Sequence, residues 1–299
     1  MNARNLLKPL ACATLLSAGA ALAAGIEGTL NAPILATGNG RVLILSPQGD
    51  VTWEHKAGNV HDAWRLPNGN ILFADGNVTE VTPDHTVVFE YKPENQKGGG
   101  TYSCQRLANG NTVVGENASG RVVEVDKDGN AVHAFMTRFE SKNDHHHMRM
   151  VRKLANGNYL VCHSGDNLVR EYRPDGTTAW EQKTKALAFA AARLPNGNTL
   201  ISSLAQITEY DRAGNQIWDF TTADIPGVTI QNMTGFQALP NGNLVIGCYA
   251  AYTKEGQGTG MFEITRDKRL VWKYESPGLR DKSMMGVHKL VPGTEPPLR

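Results

Sequence analysis

Histidine and methionine are unevenly placed along this chain of 299 residues. Six stretches of unlike sequence concern them: Asn59-Val60-His61-Asp62, Gly100-Thr101-Tyr102-Ser103, Asp144-His145-His146-His147-Met148-Arg149-Met150, Ala188-Phe189-Ala190, Gln231-Asn232-Met233-Thr234 and Ser283-Met284-Met285-Gly286-Val287-His288. Five of the nine histidines and five of the eight methionines fall within them. An imidazole beside an arginine can hold or transfer an anionic group, with the histidine as acid, base or nucleophile and Arg149 placing the charge. On that reading His61, His146, His147 and His288 are the candidate reactive groups. Asp62, Tyr102, Arg149, Phe189, Met233 and Met285 are the candidate ligand contacts. Imidazoles with soft thioethers also form a ligand set that suits copper, and no individual residue is assigned to a metal.

Simple geometry trims these options. On an extended segment alternate side chains point opposite ways, so His145 and His147, or His146 alone, should face inward. His61 and Asp62 are neighbours on a strand and form no dyad by themselves. Serine chemistry has no support, since no Gly-x-Ser-x-Gly elbow is present. Glu94–Gly100 and Tyr252–Gly260, with Gly256, Gly258 and Gly260, lack the following helix that a phosphate-cradling loop requires, and they read as mobile rim loops.

The elements that must position these residues are written in a repeat. Arg65-Leu66-Pro67-Asn68-Gly69-Asn70 returns around Leu107, Leu154, Leu194 and Leu239, and in worn form at Leu290, with spacings of 41, 47, 40, 45 and 51 residues. A period of that length fits a propeller blade or a helical pair, and Asn-Gly between apolar runs decides for hairpins. The expected turn is type I′, with positive φ at both Asn and Gly. A second turn recurs as Asp175-Gly176-Thr177-Thr178-Ala179-Trp180 and Ala213-Gly214-Asn215-Gln216-Ile217-Trp218. Trp53, Trp180, Trp218 and Trp272 thus share one slot, with Phe89 and His133 in the other copies. Glu80, Glu124, Glu171, Glu209 and Glu263 share another. Residues repeated at one blade position read as scaffold, because a catalytic carboxylate is needed once.

Five complete four-stranded units start near 61, 102, 149, 189 and 234. Ile34–Ala36, Val42–Leu45 and Val51–His55 supply strands two to four of another, and Met285–Leu290 supplies its strand one. Joined, they predict an all-β, six-bladed propeller closed by both termini, which removes unpaired sheet edges. Residues 1–23 read as a signal peptide: Arg4 and Lys8, an apolar run from Leu10 to Leu22, and a cleavage pattern at Ala21-Leu22-Ala23. Residues 24–299 are then one exported domain, periplasmic or secreted, with no transmembrane segment. A net charge of +1 points to no nucleic-acid partner. Cys104, Cys162 and Cys248, an odd number in different repeats, read as buried thiols.

The stretch His61-Asp62-Ala63-Trp64-Arg65-Leu66-Pro67-Asn68-Gly69-Asn70, with the later Asp-x-x-Gly-x-x-x-Trp turn, resembles exported PQQ-like β-propeller repeat proteins. It also resembles the repeats of bacterial arylsulfotransferases. The second resemblance implies a channel histidine that takes a sulfuryl group, flanked by further histidines and an arginine. No histidine here is matched to that nucleophile by a surrounding motif. Adjacent cysteines like those of PQQ dehydrogenases are absent, and the cofactor stays unknown. The expected function is binding of a small molecule or protein partner at the channel rim. The alternatives are arylsulfotransferase-like transfer by a channel histidine and a periplasmic copper-binding role.

Overall fold

The computed structural model describes residues 25–38, 40–204, 206–226, 228, 230, 232–249, 259–275 and 284–292. The signal-peptide reading of residues 1–23 lies outside them, as do the glycines at 256 and 258. No helix among the described residues is long and apolar enough to cross a membrane.

Six antiparallel sheets form the propeller. Blade 1 is built from Asp62–Arg65, Ile71–Ala74, Val78–Val81 and Val87–Tyr91, innermost strand first. Blade 2 starts with Thr101–Arg106, blade 3 with Met150–Lys153, blade 4 with Ala188–Arg193 and blade 5 with Asn232–Ala238. Blade 6 is the closure: C-terminal Val287–Lys289 pairs with N-terminal Ile34–Gly38, in register Ile34↔Lys289, and Arg41–Leu45 and Val51–Lys56 follow outward. One strand was not foreseen. Gly25–Gly28 pairs with Leu270–Glu275 and adds a fifth strand to the outside of blade 5.

Burial follows strand position. Second strands such as Ile71–Ala74, Thr112–Glu116 and Tyr159–His163 are buried on both faces, so their burial does not alternate along the strand. Outermost strands such as Val51–Lys56 are largely exposed and alternate. The core is divided among the faces between adjacent blades, as in the cluster of Trp64, Leu66, Leu72 and Phe89 with Cys104, Val114 and Val123. Cys104, Cys162 and Cys248 are free and buried within these faces, and burial raises each thiol above its ordinary pKa.

The Asn-Gly turn differs from the expected one. Gly69 has φ of +88°, while Asn68 keeps negative φ, so this is not type I′. Gly69 N–H donates to Leu66 O (2.9 Å) and Leu66 N–H to Asn70 O (2.8 Å). That is a tight turn ended by one left-handed glycine. The Asn68 side chain has another use, accepting from Asn70 N–H at 3.0 Å.

The repeated carboxylates bolt blades together. Glu80 accepts from Asn70 within its blade (2.6 Å) and pairs with Arg106 of blade 2 (2.5 Å). Glu124 pairs likewise with Lys153 (2.6 Å), Glu171 with Arg193 (2.8 Å) and Glu263 with Lys289 (2.7 Å). At blade 5 the basic position is Ala238, and Arg266 reaches Glu209 instead. The tryptophans make a second bolt: Trp53, Trp180 and Trp218 donate through Nε1 to Pro83 O, Arg212 O and Arg266 O of the following blade. Trp272 turns inward to its own Glu263 (2.6 Å).

A fully buried histidine sets an acid limit on this fold. His163 Nδ1–H donates to His147 O (2.8 Å), and Nε2 accepts from the Tyr172 hydroxyl (2.9 Å). Burial lowers its pKa from 6.5 to about 4. The unfolded chain therefore binds the proton more readily between these values, and stability present above pH 6.5 is lost as pH falls toward 4. At pH 5 this one group should cost about 2 kcal/mol. Urea unfolding at pH 7 and pH 5 checks it: His163→Gln should lose less stability over that step than wild type, and equal losses refute the assignment.

Candidate functional site

Counting back five residues from each repeat leucine reaches His61, Tyr102, Arg149, Phe189, Thr234 and Met285, one per blade. All six line one cavity of ≈ 1730 Å³ that runs along the propeller axis. The innermost strands bring them there because each residue sits at, or one or two residues beside, the strand's first residue. His61 N–H donates to Ala74 O (3.1 Å) and Arg149 N–H to Cys162 O (2.9 Å), extending the ladders by one bond at the channel mouth.

Arg149 is the centre of the group. Its Nη1 donates to His61 Nδ1 (3.1 Å) and its Nη2 to His145 Nε2 (2.8 Å). Guanidinium nitrogens only donate, so both imidazole nitrogens must be acceptors. His145 therefore carries its proton on Nδ1 and donates it to the Tyr102 hydroxyl (2.6 Å), which donates onward to Gly98 O (2.5 Å). His61 then carries its proton on Nε2, which lies 3.2 Å from Asn59 Nδ2, so the Asn59 amide must flip for its oxygen to accept that proton. Arg149 also lies 4.8 Å over the Tyr102 ring and 5.6 Å over Phe189, and His61 rests on Tyr102 with centroids 3.8 Å apart.

The electrostatics follow. Burial, then Arg149, then His145 hold His61 well below the usual histidine pKa. Burial and Arg149 lower His145 and His146 as well. These imidazoles are neutral at pH 7. Burial lowers Arg149 too, but a guanidinium stays protonated. No carboxylate among the described residues pairs with it, and its Nε has no hydrogen-bond partner. The mouth therefore holds one half-buried positive charge, without a carboxylate partner, between neutral acceptors. Arg149 fills the space between His61 and His145. Among the described residues no three His, Cys, Asp or Glu side chains converge as a metal-binding group.

Three further expectations change. His145 and His146 both line the cavity, because Asp144–His146 is a 3-10 turn and strand alternation does not apply. His147 faces away: its ring stacks on Phe139 (centroids 4.0 Å) and its Nδ1 donates to Ala118 O (2.9 Å). Met233 is wholly buried among Leu200, Ile246 and Phe262, outside the cavity lining. The glycine run, read as a mobile rim loop, is tightly seated. A Cβ on Gly99, at φ of +101°, would stand 2.1 Å from the Tyr102 hydroxyl. Gly98 supplies the carbonyl that ends the His145–Tyr102 relay.

Deeper in the channel Asp62 and His288 take separate roles. Asp62 is gripped by Arg152 (2.8 and 3.0 Å) and accepts from Cys104 N–H (3.1 Å). His288 lies against Trp64, centroids 4.2 Å apart, with Nδ1 lacking a partner and burial lowering its pKa to about 4. Met285 is in the lining. Sequence reasoning passed over Thr234, Asn59, Tyr249 and Arg152, all cavity-lining. The five-residue offset from the leucine was a signal able to find Thr234.

With this geometry known, comparison with solved structures is informative about architecture. No protein-family model matches the chain, and no curated protein matches it. The chain is similar to a protein of unknown function from Bacteroides caccae, with 20% identity, 87% of this chain and 98% of that one covered, and a TM-score of 0.76. It is also similar to a catalytically inactive histidine variant of virginiamycin B lyase from Staphylococcus aureus with quinupristin (12% identity, 84% and 88% covered, TM-score 0.57). The WD40 β-propeller domain of Doa1 gives 11% identity, 81% and 75% covered, and a TM-score of 0.57. The shared property is the propeller fold. At these identities the fold carries no activity across.

Proposed function

We propose that this chain is an exported propeller that binds a small anionic molecule at the mouth of its channel. The observation that carries this reading is Arg149: a half-buried cation without a carboxylate partner, held in place by two neutral imidazoles and two aromatic rings. A partly desolvated charge left unpaired is unfavourable, and a ligand anion is the partner that would relieve it. The test is calorimetric titration with acetate, benzoate, sulfate and a phosphate monoester. At least one should bind with unit stoichiometry and be lost in Arg149→Gln; a panel that binds neither form sinks the proposal.

A second reading, arylsulfotransferase-like transfer, is favoured by one detail. An anion taken by Arg149 would displace His61 Nδ1 or His145 Nε2 and leave a neutral lone pair beside it. In such a step the imidazole nitrogen attacks sulfur as the aryl C–O–S ester loses its S–O bond, and the phenolate leaves. An acceptor phenol then takes the sulfuryl group, breaking S–N, with its proton going to solvent. Turnover of an aryl sulfate with a phenol acceptor, lost in His61→Gln, supports transfer; binding without turnover leaves the first reading standing.

A further inference from the structure

The six blade-to-blade seams are not alike. Seams between blades 1 and 2, 2 and 3, 3 and 4, 4 and 5, and 5 and 6 each carry a glutamate–cation bolt. Between blades 6 and 1 the glutamate position is Ile44, opposite Trp53 as Glu263 is opposite Trp272. The matching cation, Arg65, has no carboxylate partner among the described residues and is exposed. This is also the seam where the closing blade meets the first complete one.

Two histidines cross it. His55 lies on the outermost strand of blade 6, and His85 on the third turn of blade 1. Their Nδ1 atoms are 3.2 Å apart, and both rings stack on Trp53. Neither residue belongs to the repeat. The His55 slot holds Tyr91, Phe135, Phe220 and Tyr274 in four other blades. The His85 slot holds Gly49, Gly129, Gly176 and Gly214, because its backbone is left-handed. His85 takes φ of +69° there, a conformation that disfavours a side chain by about 1 kcal/mol. The other side chain in that slot, Lys268 at φ of +63°, reaches Asp219 and Asp224. A non-glycine residue at this place thus accompanies a long-range contact.

We propose that His55 and His85 form a binding site for a divalent transition metal ion of the zinc class, which ties the closing blade to blade 1. Two imidazoles on one tetrahedral zinc, with Zn–N near 2.0–2.1 Å, place their nitrogens about 3.3–3.4 Å apart. The observed separation needs little movement to meet that. In the metal-free pair one Nδ1 donates its proton to the other. On binding, the donating ring moves that proton to Nε2, so both Nδ1 lone pairs face the metal and no proton is lost. Trp53, fixed by its bond to Pro83 O (2.9 Å), keeps the rings in place. Asp75 lies beside the pair, and its Oδ2 already accepts from Gly58 N–H (2.9 Å). Water completes the coordination.

Zinc chloride titrated into the full chain at pH 7.5, read by calorimetry and by thermal unfolding, tests this. Wild type should bind one equivalent and melt at higher temperature when saturated. His85→Asn keeps a residue that tolerates left-handed backbone. It should weaken binding by more than the roughly 10–100-fold that loss of a supporting partner costs, and remove the thermal shift. His55→Gln should do the same. His146→Gln, at the channel mouth, should leave both readouts intact. Zinc binding that survives His85→Asn, or that disappears only in His146→Gln, overturns the assignment, as does absence of binding in wild type. Anion binding at Arg149 is measured separately and its outcome is independent.

Discussion

Replacing Arg149 with methionine should abolish anion binding and leave the propeller more stable than wild type. The two effects have one cause. The guanidinium lies between Tyr102 and Phe189 and meets only neutral acceptors, so its desolvation is repaid by hydrogen bonds but not by an opposite charge. Methionine keeps an apolar stem of similar length between the rings and adds a favourable sulfur–aromatic contact. Removing a part-buried cation that no carboxylate offsets should stabilise the fold by about 1 kcal/mol, the low end of what replacing buried ionic groups yields, because His61 Nδ1 and His145 Nε2 lose their donor. Affinity for the anion should fall roughly 100-fold or more, as for a truncated buried charge partner. A third signature is independent of any ligand. With Arg149 gone, the largest charge acting on His61 and His145 is removed, and both should titrate at higher pH by NMR, still held down by burial. Arg149→Lys should restore charge but not the two-pronged contact, giving partial binding. A methionine variant that binds normally would remove Arg149 from the site. One that unfolds more easily would make it a structural residue.

Sequence and structure agree where the physics is local and repeated. Leucine spacing, Asn-Gly turns and the complementary orphan strands at the two ends carry the blade count, because each blade repeats the same short-range chemistry. The seam-bridging role of Glu80 and its equivalents was legible only as repetition; the partner cations lie one blade away, a distance that no local pattern encodes. The turn type was misread for a similar reason. Asn-Gly suits type I′, yet Asn68 spends its side chain on Asn70 N–H and leaves positive φ to Gly69 alone. Around the site, His61, Tyr102, Arg149 and Phe189 were recognisable because they differ at one repeat position. His146 and His147 were not separable. Which of them turns inward depends on a 3-10 turn seated against the Gly98-Gly99-Gly100 loop, and that contact is tertiary.

Asp62→Asn should be among the most destabilising single changes available in this protein, at about 3–5 kcal/mol. Asp62 is 5% exposed and spends both oxygens on protein donors: Arg152 Nη1 and Nη2, Cys104 N–H, and the Ser103 hydroxyl at 3.3 Å. These contacts join the innermost strands of blades 1, 2 and 3. An asparagine of the same shape can still accept from Cys104 N–H, but it turns one oxygen into a donor that faces the guanidinium. Arg152, stacked 4.8 Å from Trp64, would then hold an uncompensated charge. If that charge is the source of the loss, removing it should return most of the stability: Asp62→Asn with Arg152→Met should be better than Asp62→Asn alone, with a large coupling in the double-mutant cycle. The same cycle separates two roles for this carboxylate. As a clamp on Arg152, it should affect unfolding midpoints and leave the anion affinity of the folded fraction near wild type. As a ligand contact, it should alter affinity with little change in stability. Its four protein donors favour the clamp, and they leave Arg149, rather than Arg152, as the arginine available to an incoming anion.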